Sequence, residues 1–196
     1  MIAVSFVTDA RYWAMAENLA RSAERFGVAC EVYERPDRGS WCWNTNQKPE
    51  VILEAMDRHP GRESILWVDA DSEFVATPSG LIGRHKPPDA DLFVHLGYVW
   101  GSTMNFANTP MGRSLVEAWL AQCRLTPEYS ADGNIKLVLD RNPARWNIGR
   151  LPQAYVACDE PESMGLEPVT RAIIRHRGIA DWHTHTAHVP LEATCR

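Results

Sequence analysis

The sequence lacks the features that mark several large classes of protein. Its longest apolar runs reach only four or five residues, whereas a membrane-spanning helix needs roughly 20. The 20 Lys and Arg are outnumbered by 25 Asp and Glu and form no basic run, so we expect no interaction with nucleic acid. Five scattered cysteines, never spaced Cys-x-x-Cys, exclude a disulfide framework and a zinc ribbon. Asp9, Arg11 and Glu17 come too early for a secretory signal, and we expect a cytoplasmic protein.

What is present is the composition of an ordinary globular protein. Hydrophobic residues make up 45% of the 196 positions and charged residues 23%. This length suits one domain of roughly 100–200 residues, and no internal repeat or low-complexity linker divides the chain. We therefore expect a single domain over residues 1–196, regular over residues 1–75 and less regular over residues 76–196.

The first part of the chain alternates apolar runs with segments of helical period. Strands are predicted at residues 2–7, 28–33 and 65–68, with a helix ending at Gly27 between the first two and another beginning at Pro49. The last of these strands is apolar throughout, as expected for a central strand buried on both faces. This order predicts an α/β sandwich with a mostly parallel central sheet and right-handed crossovers.

The second part has weaker signals. Thr109 is a candidate N-cap with Pro110 at the first helical position, and this predicts a helix to about residue 123. A further helix is predicted over residues 131–139. Short strands are predicted at residues 92–94, 151–156 and 172–174.

Two carboxylates directly follow the apolar strand at residues 65–68. Asp69 and Asp71 lie two positions apart, and in extended backbone such residues point to one side. Two close carboxylates are stable together when a cation neutralises them or one is protonated. Their hard oxygens suit Mg²⁺ or Mn²⁺, with substrate phosphates completing the shell. Two solvated aspartates at a strand end are the alternative.

Several segments, in order, resemble a known family. They are Val-Ser-Phe-Val-Thr-Asp at residues 4–9, Lys-Pro at 48–49, Ile-Leu-Trp-Val-Asp-Ala-Asp at 65–71, Gly-Ser-Thr-Met-Asn-Phe at 101–106, Asp-Gly-Asn at 132–134 and Ile-Ile-Arg-His-Arg-Gly at 173–178. Together they resemble the GT-A-fold glycosyltransferases that use nucleotide-sugars, in particular glycogenin and the bacterial lipooligosaccharide galactosyltransferases. The resemblance implies a Rossmann-like α/β/α sandwich, with a nucleotide-binding half over residues 1–75 and an acceptor half over residues 76–196.

The resemblance also implies roles for individual residues. It implies a UDP-sugar donor, a sugar, lipid-linked or protein acceptor, and Mn²⁺ or Mg²⁺ as cofactor. The family's Lys-Pro-Trp run after the late histidine is absent here, and Arg175, Arg177 or Lys48 would replace its lysine. The histidine-containing subset retains anomeric configuration, and the resemblance favours retention here; inversion would need a carboxylate base, for which Asp132 is the candidate. Thr8 and Tyr12 would hold the nucleobase, and Lys48 would lie near the donor or the metal carboxylates. The implied donor-binding residues are Thr8, Asp9, Tyr12, Lys48, Asp69, Arg175 and Arg177, and the implied metal ligands are Asp69, Asp71 and His176.

Other residues have two interpretations each. Asp132 is the candidate to contact the acceptor or the reacting sugar, and it is equally a candidate helix N-cap. The tryptophans Trp41, Trp43 and Trp100 would stack on a sugar ring, pack in the core or anchor a loop. Glu73 is expected to be a solvated strand residue. The cluster His183, His185 and His188 has a spacing that zinc tolerates, but a polar tail is the simpler interpretation.

Two other function classes stay open. A phosphatase of the haloacid-dehalogenase type also uses aspartates at i and i+2 after an apolar strand, with Ser102 or Thr103, Lys136 and Asp159-Glu160 as its further parts. That family places the pair on its first strand, whereas here about 60 residues precede it. The third class is a nucleotide-sugar-binding module without turnover.

Overall fold

A computed structural model of the chain describes residues 1–81, 90–95, 101–158 and 169–176. Up to the aspartate pair, strands and helices follow the predicted order, with one helix that the sequence does not predict, Trp41–Thr45. They are β1 (Ile2–Val7), α1 (Ala10–Arg25), β2 (Cys30–Glu34), α2 (Trp41–Thr45), α3 (Lys48–Arg58) and β3 (Ser64–Val68).

The elements that follow are shorter and more mixed. They include two short 3₁₀ turns, Ser79–Leu81 and Gln153–Tyr155. The remaining elements are β4 (Ser72–Phe74), β5 (Leu92–Val94), β6 (Thr103–Ala107), α4 (Pro110–Leu125), α5 (Ala131–Arg141), β7 (Ile148–Arg150), β8 (Ala157–Cys158) and β9 (Ile174–His176).

Side chains that bind free backbone N–H groups begin the longest helices. The Asp9 carboxylate accepts from the N–H groups of Arg11 and Tyr12 at the start of α1, and the Thr109 hydroxyl accepts from that of Gly112 in α4. Capping of this kind satisfies donors that have no partner inside the helix. The predicted start of α4 at Pro110 is confirmed.

The central sheet has six strands in the order β2-β1-β3-β6-β5-β7. Strand β1 is parallel to β2 and β3, β7 is parallel to β5, and β6 is antiparallel to both of its neighbours. All strands of this sheet except β6 therefore run in one direction. The predicted mostly parallel α/β sandwich of the GT-A type is confirmed.

Helices cover both faces of this sheet. Residues of α3 and α4, including Ile52 and Trp119, pack on one face with Trp67 and Phe106. Leu19 of α1 packs on the other face with residues of β1 and β3. A second sheet, in the order β4-β9-β8, lies beyond the aspartate pair, with β4 antiparallel to β9.

Some predicted elements are wrong or displaced. The predicted strand at residues 151–156 is a 3₁₀ turn followed by β8, the strand at 172–174 is displaced to β9, and β2 begins at Cys30. The segment after β2, expected to be a loop, contains α2. Short apolar runs do not distinguish strand from turn, because neither period is repeated within them.

Several predictions fall outside the described residues. These concern Trp100, Asp159, Glu160, Arg177, His183, His185 and His188. The division of the chain at residue 75 into a nucleotide-binding half and an acceptor half stays a prediction.

Candidate functional site

The topology brings the predicted site residues to one edge of the central sheet. The carboxyl ends of β1, β3 and β5 lie at this edge with the amino end of β6, because only β6 is reversed. Ligands of open α/β sheets bind outside the carboxyl ends of the strands. Asp69 and Asp71 follow β3 here, and Gly101 and Ser102 precede β6.

Asp69, Ala70 and Asp71 form a turn between β3 and β4. The N–H of Asp69 donates to the Ser102 carbonyl at 2.9 Å, and the N–H of Ser72 donates to the Asp69 carbonyl at 3.1 Å. Our expectation of extended backbone through this motif is therefore wrong. The chain turns here because it leaves the central sheet at β3 and enters the second sheet at β4.

One oxygen of the Asp69 carboxylate is already bound by the protein. Its Oδ1 accepts from Trp67 Nε1 at 2.8 Å and lies 3.0 Å from Lys48 Nζ. Within the described residues Oδ2 makes no hydrogen bond. The Asp69 side chain keeps 30% of its surface exposed, so Oδ2 is available to a ligand.

The Lys48 ammonium is the cation of this cluster. The residue is only 5% exposed, and Nζ donates to the Gly101 carbonyl at 2.9 Å and lies 3.7 Å from Asp132 Oδ1. Burial alone lowers the pKa of Lys48, but the charges of Asp69, Asp132 and Asp71 outweigh it and raise the pKa above its ordinary value. Lys48 is therefore a buried, charged link between the turn after β3 and Asp132.

Asp132 lies in the first turn of α5, next to the start of β6. The α5 cap is Ser130, whose hydroxyl accepts from the N–H of Gly133, so the alternative that Asp132 is the N-cap is wrong. Asp132 Oδ2 instead accepts from the Gly101 N–H at 3.1 Å. Desolvation raises the pKa of Asp132, and the negative charge of Asp69 raises it further. The positive charge of Lys48 lowers it, but the net effect is a pKa above the ordinary value.

Gly101 contacts both charged partners. A Cβ at this position would lie 1.7 Å from Asp132 Oδ1, so any other residue here would force the Asp132 carboxylate to move. Glycine therefore allows the backbone and the carboxylate to approach this closely. The sequence pattern assigns no role to Gly101 or Trp67. For Trp67, its i, i+2 spacing from Asp69 is a signal that the two side chains could meet.

His176 lies beneath the turn, in the second sheet. It is 3% exposed; Ser72 Oγ is 2.5 Å from Nδ1 and Thr103 Oγ1 is 3.1 Å from Nε2. Burial lowers the pKa of His176 to about 4, with opposing effects from Asp69 and the Tyr155 main chain. The ring is therefore neutral at pH 7.

The predicted nucleobase residues follow β1 at the same edge. Asp9 is exposed and caps α1, Thr8 and Tyr12 are half-buried, and the Arg11 guanidinium lies 5.1 Å from the centre of the Tyr12 ring. The capping contacts give Asp9 a structural role in addition to the predicted one. Contact with a nucleobase stays a prediction for Thr8 and Tyr12, as does contact with the donor for Asp9.

Most of the remaining candidates lie on exposed surfaces. Arg175 lies 3.8 Å from Glu73 across the β4–β9 pair. Glu73 is therefore a strand residue, as expected, but its side chain is only 13% exposed, so the expectation that it is solvated is wrong. Trp41 and Trp43 are 46% and 48% exposed on α2, and neither is in the core. Trp43 lines a cleft of about 210 Å³ with Arg38, Glu50 and Arg124.

Two structural absences hold for the described residues. No group of three or more His, Cys, Asp or Glu side chains among them is arranged to hold a metal ion. No helix in the described part of the chain is long and apolar enough to cross a membrane. The cytoplasmic location predicted from the sequence stays a prediction.

The fold is shared with the solved structure of a glycosyltransferase involved in the glycosylation of the major capsid of PBCV-1. The two align with a TM-score of 0.66 at 14% sequence identity, over 89% of this chain and 92% of that one. At this identity the likeness establishes the fold alone. No protein-family model and no curated protein matches the sequence. The closer resemblance to glycogenin and the galactosyltransferases stays a prediction.

Proposed function

We propose that the protein is a glycosyltransferase that moves a sugar from a nucleotide-diphosphate sugar, most simply a UDP-sugar, to an acceptor hydroxyl. The observation that carries this proposal is the cluster at the ligand-binding edge of the sheet, where the buried Lys48 links Asp69 to Asp132. The fold shared with a glycosyltransferase supports the reaction class. The acceptor is a sugar, a lipid-linked group or a protein.

We further propose that Asp69 and Asp71 hold Mn²⁺ or Mg²⁺ together with the donor diphosphate. Hard carboxylate oxygens suit these ions, which commonly bind through one or two carboxylates plus substrate phosphates. Oδ2 of Asp69, which makes no hydrogen bond to any described residue, supports this assignment. When bound, such an ion offsets the negative charge that develops on the departing nucleoside diphosphate.

The side chains around the Asp69–Asp71 turn would have different roles in binding and transfer. Thr8 and Tyr12 would contact the nucleobase, and Arg175 and Arg177 would add positive charge near the leaving group. Lys48 and Asp132 would lie beside the transferred sugar, where Lys48 keeps Asp132 oriented. The histidine-containing subset that the sequence resembles retains anomeric configuration, and on that resemblance we favour retention here.

The experiment is a thermal-shift panel of nucleoside diphosphates and nucleotide-sugars, with Mn²⁺ or EDTA. We expect a rise in melting temperature with UDP or UDP-sugars that needs Mn²⁺ and is lost in Asp71→Asn. The matched control is Asp140→Asn, which removes an exposed helix carboxylate paired with Lys136. Slow donor hydrolysis in Mn²⁺ would separate an enzyme from a binding module without turnover.

Two outcomes would contradict the proposal. If no nucleoside diphosphate stabilises the protein in a metal-dependent way, the assigned metal and diphosphate site is excluded. Stabilisation and hydrolysis only with phosphate monoesters would instead indicate a phosphatase. The position of the aspartate pair disfavours the second outcome, since β1, β2 and three helices precede β3.

A further inference from the structure

His176 joins the two sheets directly beneath the aspartate turn. Its strand β9 belongs to the second sheet, as does Ser72 on β4, whereas Thr103 lies on β6 of the central sheet. All three side chains are at most 3% exposed. A single imidazole therefore bridges β4, which follows the aspartate turn, and β6 of the central sheet.

Both hydroxyl partners are chain neighbours of the residues that fix the turn. Ser72 directly follows Asp71, and its N–H closes the turn on the Asp69 carbonyl at 3.1 Å. Thr103 directly follows Ser102, whose carbonyl accepts from the Asp69 N–H at 2.9 Å. The imidazole thus holds the two backbone segments that set where Asp69 and Asp71 point.

The same contacts leave the ring no free nitrogen. A neutral imidazole has one N–H donor and one acceptor nitrogen, and both nitrogens have a hydroxyl within hydrogen-bond distance. The low pKa of the buried ring agrees with a neutral form. Strand alternation also separates the ring from the outer face of β9, because Arg175, not His176, pairs with Glu73 on the exposed side.

We propose that His176 is a positioning residue that fixes the Asp69–Asp71 turn through Ser72 and Thr103, and that it is not a metal ligand. The resemblance implied a ligand at this position, and the contacts of the ring favour a different role. Side chains that orient ligands in this way commonly change metal affinity by 10–100-fold when removed. The inference rests on the proposed function in one respect, that the turn binds a divalent ion.

The first experiment asks directly whether the imidazole touches the ion. Protein with ¹⁵N-labelled histidine is loaded with Mn²⁺ and UDP, and nitrogen coupling to the bound Mn²⁺ is measured by pulsed electron paramagnetic resonance. We expect bound Mn²⁺ without coupling to a directly coordinated imidazole nitrogen. A coupling that disappears in His176→Gln would overturn the positioning role.

The second experiment uses a variant that keeps the imidazole. Thr103→Val removes one hydroxyl partner, and Ser5→Ala is the matched control, because Ser5 is a fully buried strand residue whose hydroxyl bonds to no described residue. If His176 positions the turn, Thr103→Val weakens Mn²⁺ binding about tenfold, close to the effect of His176→Gln, and Ser5→Ala does not. A ligand would behave differently: freeing its nitrogen would leave Mn²⁺ affinity unchanged or higher.

Failure of the proposed function would look different from failure of this inference. Wild-type protein that binds no Mn²⁺ with UDP would contradict the metal-dependent function and, with it, the positioning of a metal-binding turn. Imidazole bound to Mn²⁺ would overturn the positioning role alone. Circular dichroism and urea unfolding at pH 7.5 confirm that each variant is folded before its Mn²⁺ affinity is compared.

Discussion

Lys48 keeps its charge at a buried position because carboxylates surround it. Transfer of an ammonium from water to the protein interior is costly, and such a charge persists only when it is paired and hydrogen-bonded. Here Asp69 lies at 3.0 Å, Asp132 at 3.7 Å and the Gly101 carbonyl at 2.9 Å. The resemblance implies that Lys48 lies near the donor or the metal carboxylates, but the sequence does not predict its contact with Asp132, because the three residues come from α3, the turn after β3 and α5.

Replacement of Lys48 by Met is expected to destabilise the protein by about 2 kcal/mol. Removal of one partner from a fully buried pair costs roughly 3–5 kcal/mol, and the cost here is smaller because the Asp69 and Asp132 side chains keep 30% and 37% exposure. Urea unfolding at pH 7.5 measures the change. Lys136→Met is the control, since its exposed pair with Asp140 contributes at most about 0.5 kcal/mol; equal losses in both variants would contradict the account.

A methyl group at Gly101 is expected to displace Asp132. Because the Cβ of Gly101→Ala would lie 1.7 Å from Asp132 Oδ1, the carboxylate must move from its present position beside Lys48. Under the proposed function, transfer falls at least about tenfold, the equivalent of roughly 1.4 kcal/mol. Gly61→Ala is the control, because nothing lies within 4 Å of its added Cβ. Wild-type activity in Gly101→Ala would exclude a role for the position of Asp132.

His176 is expected to make stability depend on pH below neutrality. Its pKa is about 4 in the folded protein, against an ordinary value of 6.5, so the unfolded chain takes up the proton first as the pH falls. The contribution of the neutral imidazole to the free energy of unfolding is complete above about pH 6.5. It is lost as the pH falls towards 4, by about 3 kcal/mol in all.

Urea unfolding of wild type and His176→Gln at pH 7.5 and pH 4.5 tests this dependence. The stability advantage of wild type over the variant should shrink by about 2 kcal/mol at the lower pH. The comparison between variants cancels the titration of the acidic groups that both share. An advantage that is equal at the two pH values would show that the ring is not buried in its neutral form.

At the scale of elements, capping and periodicity explain what the sequence predicts well. Helices α1, α3, α4 and α5 and strand β3 were predicted because each repeats its apolar pattern or begins at a cap or proline. Strands β7, β8 and β9 have two or three residues each, too few to repeat a period. The turn at Asp69–Asp71 is not predicted, because it forms where the chain leaves the central sheet after β3 and enters the second sheet, and the residue pattern does not show a change of sheet.

The cap of α4 allows a direct test of this explanation. Thr109→Ala is expected to cost about 1 kcal/mol, because the Gly112 N–H loses its acceptor at 3.1 Å. Thr109→Ser keeps the oxygen and should restore most of that stability in urea unfolding. If serine and alanine were equally destabilising, the loss would come from the threonine methyl group and not from the cap.

At the scale of the whole molecule, strand direction decides where the site lies. Composition predicts strands but not their direction, so the reversal of β6 was not predicted from the residues. That reversal places Gly101 and Ser102 at the carboxyl ends of β1 and β3, where they contact Lys48, Asp132 and Asp69. The sequence therefore predicted which side chains carry charge at the edge, and the topology supplied the backbone that holds them.

The most direct test of the account is a calorimetric titration of UDP into the protein with Mn²⁺, repeated with EDTA and with Asp71→Asn. If the turn holds a divalent ion and the diphosphate, wild-type protein binds UDP in Mn²⁺. The UDP affinity of wild type in EDTA, and that of Asp71→Asn in Mn²⁺, should each be at least about tenfold lower, a difference of about 1.4 kcal/mol. UDP affinity that is the same under all three conditions would contradict the assignment of a divalent ion and a diphosphate to the turn after β3.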